Sequence, residues 1–462
     1  MPPLVHELAP APRPVDVFRR CASLPGCVFF DSARQEDANA RYSFVACDPF
    51  DWIIAGPGDR DPLSRLADAL ASHAAETVAG LPPFQGGAAG LLGYEIGRSL
   101  EPVPPAHHDE FQLPLLAVGL YDVVVAFDHG QNRAWVISQG LPESSPSERR
   151  ARAAERLRRV LSLLDGEAPA LRQPAATEIV AAENLAPQHA VRQAGNVTSD
   201  FSWAGYLEAV ARAVEYIHAG DVFQVNLSQR LITPSNRHPV ETYLALRERN
   251  PAPFAGYFDA GVAQVCSASP ERFLEVRGRQ VETRPIKGTR RRAADPAEDQ
   301  LIAESLLAHP KDRAENVMIV DLLRNDLSRV CIAESVRVPM LCGLETYEHV
   351  HHLVSVVTGE LSPGRTAVDL LRASFPGGSI TGAPKVRAME IIADLEPTAR
   401  GPYCGSLAYV GFNGAMDSSI LIRTLVNARG WLQASVGGGI VADSDPATEY
   451  EETWHKAAGL FG

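Results

Sequence analysis

Between residues 24 and 140 the apolar positions come in short runs, not at helical spacing. Cys27-Val28-Phe29-Phe30 and Val123-Val124-Val125-Ala126-Phe127 are β-branched or aromatic stretches of strand length, and Gly86-Gly87 and Gly130 punctuate them. This part reads mainly as strands. A helix start follows: Ser145, with Pro146 at the first helical position and Glu148 three residues on, spells a capping box. From Gly166 to about Thr198 the apolar periodicity fails and Ala, Pro, Gln and Glu dominate. That is the pattern of a linker or a long irregular connection.

Beyond residue 199 helical and strand patterns alternate. Tyr206, Val210, Val214 and Ile217 line one face of a helix that Gly220 ends, after which Phe223, Val225 and Leu227 alternate as in a strand. Asp295-Pro296-Ala297-Glu298 and Ser444-Asp445-Pro446 mark two further helix starts. Residues 402–412, 417–426 and 431–437 read as successive strands with no helix between them, which favours antiparallel pairing. The expected class is α+β, with a strand-rich N-terminal region at 1–165, a linker at 166–198 and a C-terminal domain at 199–462.

Composition narrows the classes. In 462 residues, 45% are hydrophobic and 21% charged, as in an ordinary globular protein. A formal net charge of −13 argues against a nucleic-acid partner, which calls for a basic face. No run of about 18 apolar residues is present, so no membrane-spanning helix is expected. Met1 to Arg20 carries five prolines and two acidic residues without an apolar core, unlike a signal peptide. Seven scattered cysteines without a CxxC pair fit reduced thiols, and the expected location is the cytoplasm.

Three groups of residues carry candidate chemistry. Asp312 and Glu315 precede the apolar run Val317-Met318-Ile319-Val320, and Glu449 and Glu452 follow the Asp445-Pro446 start, with Lys456 one turn further. A spacing of three puts each pair on one helical face. Such a face is either solvated or, with oxygen ligands from two helices, suited to Mg²⁺. In the second group Glu271 and Lys287 flank a plausible turn at Arg277-Gly278 that joins two strands. Side by side they would be a surface ion pair, or a general acid/base and a nucleophile. The third group is glycine-rich: 377–384 before a helix, and Gly437-Gly438-Gly439 between a strand and the last helix. These are tight turns or anion-binding loops, and neither is a Walker P-loop, since no Gly-Lys-Ser/Thr follows.

Taken together, SPERF (269–273), PIKGT (285–289), AENVMIVDLLRNDLSRV (314–330), HLVS (352–355), GGSITGAPK (377–385), SSILIRT (418–424) and GGGIVADSDP (437–446) resemble, in order, the motifs of the chorismate-utilising enzymes. That family includes anthranilate, isochorismate, salicylate and aminodeoxychorismate synthases. RYSF (41–44) and GLLGYE (90–95) resemble its N-terminal region more weakly. The resemblance implies an anthranilate-synthase-like α/β sandwich with largely antiparallel sheets and flanking helices. It implies chorismate as substrate and Mg²⁺ as cofactor, with Glu315 and Glu452 as metal carboxylates. Asp312 and Glu449 match the flanking acidic positions; the family more often has Glu at the position of Asp312. Thr381, Tyr403, Arg423, Gly437, Gly438, Gly439 and Lys456 match positions that hold the substrate. His352 matches the active-site histidine, while His351 reads as structural. A metal at the acidic quartet also reverses the local field for a dianionic substrate on an acidic protein.

One position separates the relatives. Anthranilate synthases resemble Pro-Ile-Ala-Gly-Thr here, whereas aminodeoxychorismate synthases carry lysine, as at Lys287. The resemblance then implies attack of Lys287 at C2 of the ring, departure of the 4-hydroxyl with Glu271 as acid, and ammonia addition at C4. The product would lead, through a separate lyase, to 4-aminobenzoate and folate. No Gly-x-Cys-x-Gly elbow occurs in these residues, so a glutamine amidotransferase subunit is expected to supply the ammonia, and tryptophan is a candidate ligand of an N-terminal pocket. The alternatives are anthranilate synthase component I and a non-catalytic, ligand-binding regulator.

Overall fold

Every strand pair among the described residues is antiparallel. The computed structural model describes residues 1–34, 39–174, 178–191, 195–347 and 350–461. Thirteen strands form one sheet and ten the other, with helices outside them, so the fold is α+β.

The sheets face each other across an apolar layer. Phe258 and Val265 of the larger sheet meet Ala89, Leu91 and Leu407 of the smaller one, all at most 2% exposed. Two glycines let the sheets close: a Cβ at Gly90 would stand 2.8 Å from Phe258 Cζ, and one at Gly256 would stand 2.6 Å from Leu407 Cδ2. Each large side chain buried in this layer contributes about 1.5–3 kcal/mol. The strand Val123–Asp128 is buried throughout, and apolar as far as Phe127, because both of its faces are covered. Val124 and Ala126 enter the inter-sheet layer, while Val123, Val125 and Phe127 join a cluster with Leu161 and Leu164 of the helix Pro146–Asp165.

Both sheets draw strands from both halves of the chain. Val28–Asp31 pairs with Phe254–Asp259 in the larger sheet, and Gly87–Leu92 pairs with Ser406–Gly411 in the smaller. The boundary at 166–198 is therefore a feature of sequence that the sheets cross. Of that stretch, 175–177 and 192–194 lie outside the described residues; the remainder has a short turn at Ala182–Asn184 and two-residue strands His189–Ala190 and Thr198–Ser199.

The signalled helices form. Ser145 accepts from the Glu148 amide at 3.3 Å, Asp445 accepts from the Thr448 amide at 2.9 Å, and Trp203–His218 ends before Gly220 at φ +83°. Four details differ from expectation, the first being that the strand expected at 417–426 is two, Met416–Ser419 in the smaller sheet and Thr424–Ala428 in the larger. Phe223 lies outside its strand and is 74% exposed, because the strand begins at Gln224. The strand expected from 402 begins at Ser406, after a turn. Gly437-Gly438-Gly439 is no loop but part of the strand Trp431–Ile440, paired with Asn226, Leu227 and Ser228. Glycine is needed there for close approach, since a Cβ at Gly437 would stand 2.2 Å from the Leu227 carbonyl oxygen. No helix among the described residues is long and apolar enough to cross a membrane.

Candidate active site

Lys287 stands on a β-bulge. In the strand Ile286–Arg291, Ile286 pairs with Val354 and Thr289 with His352, so Lys287 and Gly288 together oppose one residue of Val350–Glu360. A bulge of this kind re-aims a side chain. Gly288 takes φ +77°, and a Cβ there would come within 3.0 Å of the Asp312 carboxylate, so glycine is required twice over. Lys287 thereby reaches the helix Pro310–Ser328, with Nζ 3.8 Å from Glu315 Oε2, both side chains mostly buried.

Glu271 arrives by a different route from the one expected. The strand that follows it, Arg272–Arg277, turns through Gly278 at φ +63° and pairs with Gln280–Thr283, not with the strand of Lys287. The chain then continues past Thr283 along the same neighbouring strand, Val350–Glu360, to the bulge. Two adjacent arms thus still bring the groups together, and Lys287 lies close enough to act on the Glu271 charge. Glu271 is buried and its Oε1 accepts from Ser379 Oγ at 2.9 Å. Burial raises its pKa, and Ser379 and Lys287 draw it only partly back.

The acidic residues have partners of their own, and Glu315 and Glu452 each pair with a lysine. Glu452 Oε1 lies 2.7 Å from Lys456 Nζ, which also donates to the Gly437 carbonyl at 2.7 Å. Burial works to raise the pKa of Glu452, but Lys456 outweighs it, with Lys311 and Lys287 adding to the pull, and the net shift is downward. Glu449 accepts from Ser444 Oγ at 2.6 Å, and burial raises its pKa. Asp312 pairs with Arg290 at 3.0 Å and His309 at 3.1 Å. Among the described residues no three His, Cys, Asp or Glu side chains converge as a metal cage. The donors nevertheless fit a hard cation: they are carboxylate oxygens, and Gly438 leaves them room, since a Cβ there would stand 3.1 Å from Glu449 Oε2 and 3.6 Å from Glu452 Oε1.

Lysine and arginine number 43 together, but only four are lysines, and three of those lie at the acidic group. Lys287, Lys311 and Lys456 act on the acidic group. Lys385 donates to Asp326 and to the Ser374 carbonyl, each at 2.7 Å, and so pins the start of the helix that follows the 377–384 segment. Motif reading missed Lys311 and Ser379. Lysine scarcity in an arginine-rich chain was the signal for Lys311, because the two cations are not interchangeable.

The remaining residues differ in how free they are. Arg423, at φ +51°, is an exposed residue with no side-chain partner among the described residues, and desolvation lowers its pKa. It is a ready anion ligand. By contrast Arg400 is fully engaged by Glu396 and the Ile380 and Asn226 carbonyls. His352 Nδ1 lies 2.8 Å from Thr289 Oγ1, and burial, with the charges of Arg34 and Arg423, lowers its pKa to about 4. It is a neutral imidazole at physiological pH. Its neighbour His351 is buried between Asp299 at 2.9 Å and Thr346 at 2.9 Å. The Thr381 hydroxyl is buried and donates to the Gly377 carbonyl at 3.0 Å, which leaves it only as an acceptor. The Tyr403 ring lies 5.8 Å from the Arg400 guanidinium, and burial raises its pKa.

The family model for chorismate binding enzymes matches residues 26–462. The chain is 40% identical over 464 residues to anthranilate synthase component 1 of Thermus thermophilus, covering 98% of this chain and 96% of that protein. It is 38% identical over 458 residues to aminodeoxychorismate synthase component 1 of Escherichia coli, covering 95% and 93%. Among solved structures, anthranilate synthase component I from Streptococcus pneumoniae superposes with a TM-score of 0.78 at 32% identity, covering 92% of this chain and 93% of that one.

Proposed function

We propose, for a chain that belongs to the chorismate-binding enzyme family, the reaction of an aminodeoxychorismate synthase component I: chorismate and ammonia give 4-amino-4-deoxychorismate and water. The observation that carries this reading is Lys287, an amine turned by a bulge toward Glu315 and close to Glu271. Once it has given up its proton, the Lys287 amine attacks C2, the ring double bonds shift, and the C4–oxygen bond breaks as Glu271 protonates the departing hydroxyl. Ammonia then adds at C4, the double bonds shift back, and the C2–nitrogen bond breaks to release neutral Lys287. The new C4 ammonium returns a proton to Glu271. A carboxyl group whose pKa is raised by burial suits this donor-then-acceptor role.

Glu315 and Glu452, flanked by Asp312 and Glu449, would hold Mg²⁺, which when bound supplies positive charge for a substrate carboxylate. Arg423, without a side-chain partner among the described residues, would take the other carboxylate, with Thr381, Tyr403, Lys456 and the strand Gly437-Gly438-Gly439 around the ring. Neutral His352 serves as a hydrogen-bonding group. The ammonia is assigned to a separate glutamine amidotransferase subunit, because all seven cysteines of this chain are buried and none lies in a glutaminase elbow. Tryptophan is proposed for a cavity of about 340 Å³ walled by Phe30, Phe44, Phe254 and Tyr409, with Arg41 and Glu282 at hand for its charged ends. Reduced, buried thiols fit a cytoplasmic setting.

The second reading, anthranilate synthase component I, is favoured by relatives of that name at 40% and 43% identity. Products formed from chorismate, Mg²⁺ and ammonium separate the two. A C4 amine with the enolpyruvyl group retained supports the proposal; anthranilate with released pyruvate overturns it in favour of the second reading. No turnover would favour a ligand-binding regulator.

A further inference from the structure

We propose that Ser355 is the positioning residue that fixes the bulge of Lys287 against the helix of Glu315. The inference rests on the reaction assigned above for its purpose, but on geometry for its substance. The strand Val350–Glu360 has an irregular neighbour on either side. On one side lies the bulge of Lys287 and Gly288. On the other, Met340 pairs with Val356 and Gly343 with Val354, so Leu341 and Cys342 together face Ser355. Cys342 is buried and held at φ +52°, an unusual conformation for a residue with a side chain.

Ser355 joins the three elements. Its backbone N–H donates to the Pro285 carbonyl at 3.2 Å, two residues before Lys287. Its hydroxyl accepts from the Cys342 N–H at 2.8 Å and so replaces the ladder partner lost at the second bulge. The same hydroxyl donates to Oδ1 of Asn316, the residue after Glu315. Ser355 and Asn316 are both fully buried. One hydroxyl thus spends its donor and an acceptor position on the two elements that, with the Pro285 contact, set where Lys287 and Glu315 meet. Alanine at 355 removes both bonds without adding bulk.

The scarcity of lysine makes the test direct, because reductive ¹³C-methylation gives one signal per lysine for only four lysines, assignable by Lys→Arg variants. In Ser355→Ala the Lys287 signal should move while that of Lys385, held by Asp326, stays. In turnover, kcat should fall by about a hundredfold, the effect of a reactive group displaced by about 1 Å, with KM for chorismate within about threefold. Ser138→Ala, the same change at a buried serine whose hydroxyl has no partner among the described residues, should do neither. Ser355→Cys keeps the volume and carries the same readouts if the alanine variant does not fold, and Asn316→Ala should shift the Lys287 signal in the same way. An unmoved Lys287 signal, or shifts spread equally over all four lysines, overturns the proposal. A parent enzyme that makes no 4-amino product overturns the assigned reaction instead, and leaves the lysine spectra to decide the positioning role.

Discussion

The amine of Lys287 lies 3.8 Å from Oε2 of Glu315, so the proposed nucleophile rests against a carboxylate proposed to hold the metal. A divalent cation and an ammonium compete for the same oxygen. Lys456 on Glu452 repeats the pattern at 2.7 Å. Without a metal, Glu315 and Glu452 are thus balanced by lysines and Asp312 by Arg290.

The metal role is tested through those two carboxylates. Glu315→Gln and Glu452→Gln should leave the fold intact and lower turnover by more than about a hundredfold, beyond the loss typical of a group outside the metal's own ligands. A neutral amide is a poor magnesium ligand. Turnover measured with and without EDTA, and across a Mg²⁺ titration, checks this. Full activity in EDTA, or an unimpaired Glu452→Gln enzyme, removes magnesium from the account.

His352 gives a pH signature. Its pKa falls from an ordinary 6.5 to about 4 in the folded chain, so between those values the unfolded chain binds the additional proton. Stability therefore drops as pH falls from 6.5 to 4, by up to about 3 kcal/mol from this one group. His352→Gln should flatten that part of the curve relative to the parent. Denaturant unfolding at pH 7 and pH 4.5 measures the difference; equal losses in both proteins would mean the histidine is not held neutral.

How much of this was legible in the chain differs by feature. Helix starts were readable because a cap is local: Ser145 and Asp445 each act within three residues. Apolar runs gave the strands but not their partners, since pairings such as Val28–Asp31 with Phe254–Asp259 join residues more than two hundred positions apart. The same limit hid the bulge at Lys287, which exists only relative to the register of Val350–Glu360. Gly437-Gly438-Gly439 read as a turn because glycine more often marks one, while here its small size admits Leu227, Ser228 and Gln224. The closeness of Glu271 and Lys287 was read from a hairpin turn, and it stands by a longer path than the hairpin alone.

The source of ammonia is checked with the chain alone. Purified without a partner, it should use ammonium salts, best at alkaline pH where free NH₃ is present, and leave glutamine untouched. All seven cysteines are buried, out of reach of a glutamine side chain, and burial pushes the pKa of Cys404 up to about 12. Glutamine consumption by the lone chain at a rate matching ammonium would contradict the need for a second subunit.

Lys287 decides between the two closest readings, and its variants separate them. Lys287→Ala should lose the C4 product altogether, because no other amine is turned into the site by the bulge. Ammonia could then attack C2 itself, which yields an anthranilate-type product. Lys287→Arg should also fail, since a guanidinium stays protonated and is a poor nucleophile. Both substitutions leave Gly288, the residue whose φ of +77° shapes the bulge, so the fold around it should persist. With chorismate and no ammonia, the parent chain should accumulate an adduct that intact-protein mass spectrometry detects and that Lys287→Ala lacks. If Lys287→Ala makes 4-amino-4-deoxychorismate at the parent rate, lysine is not the nucleophile, and the bulge then serves only to set the charge beside Glu315.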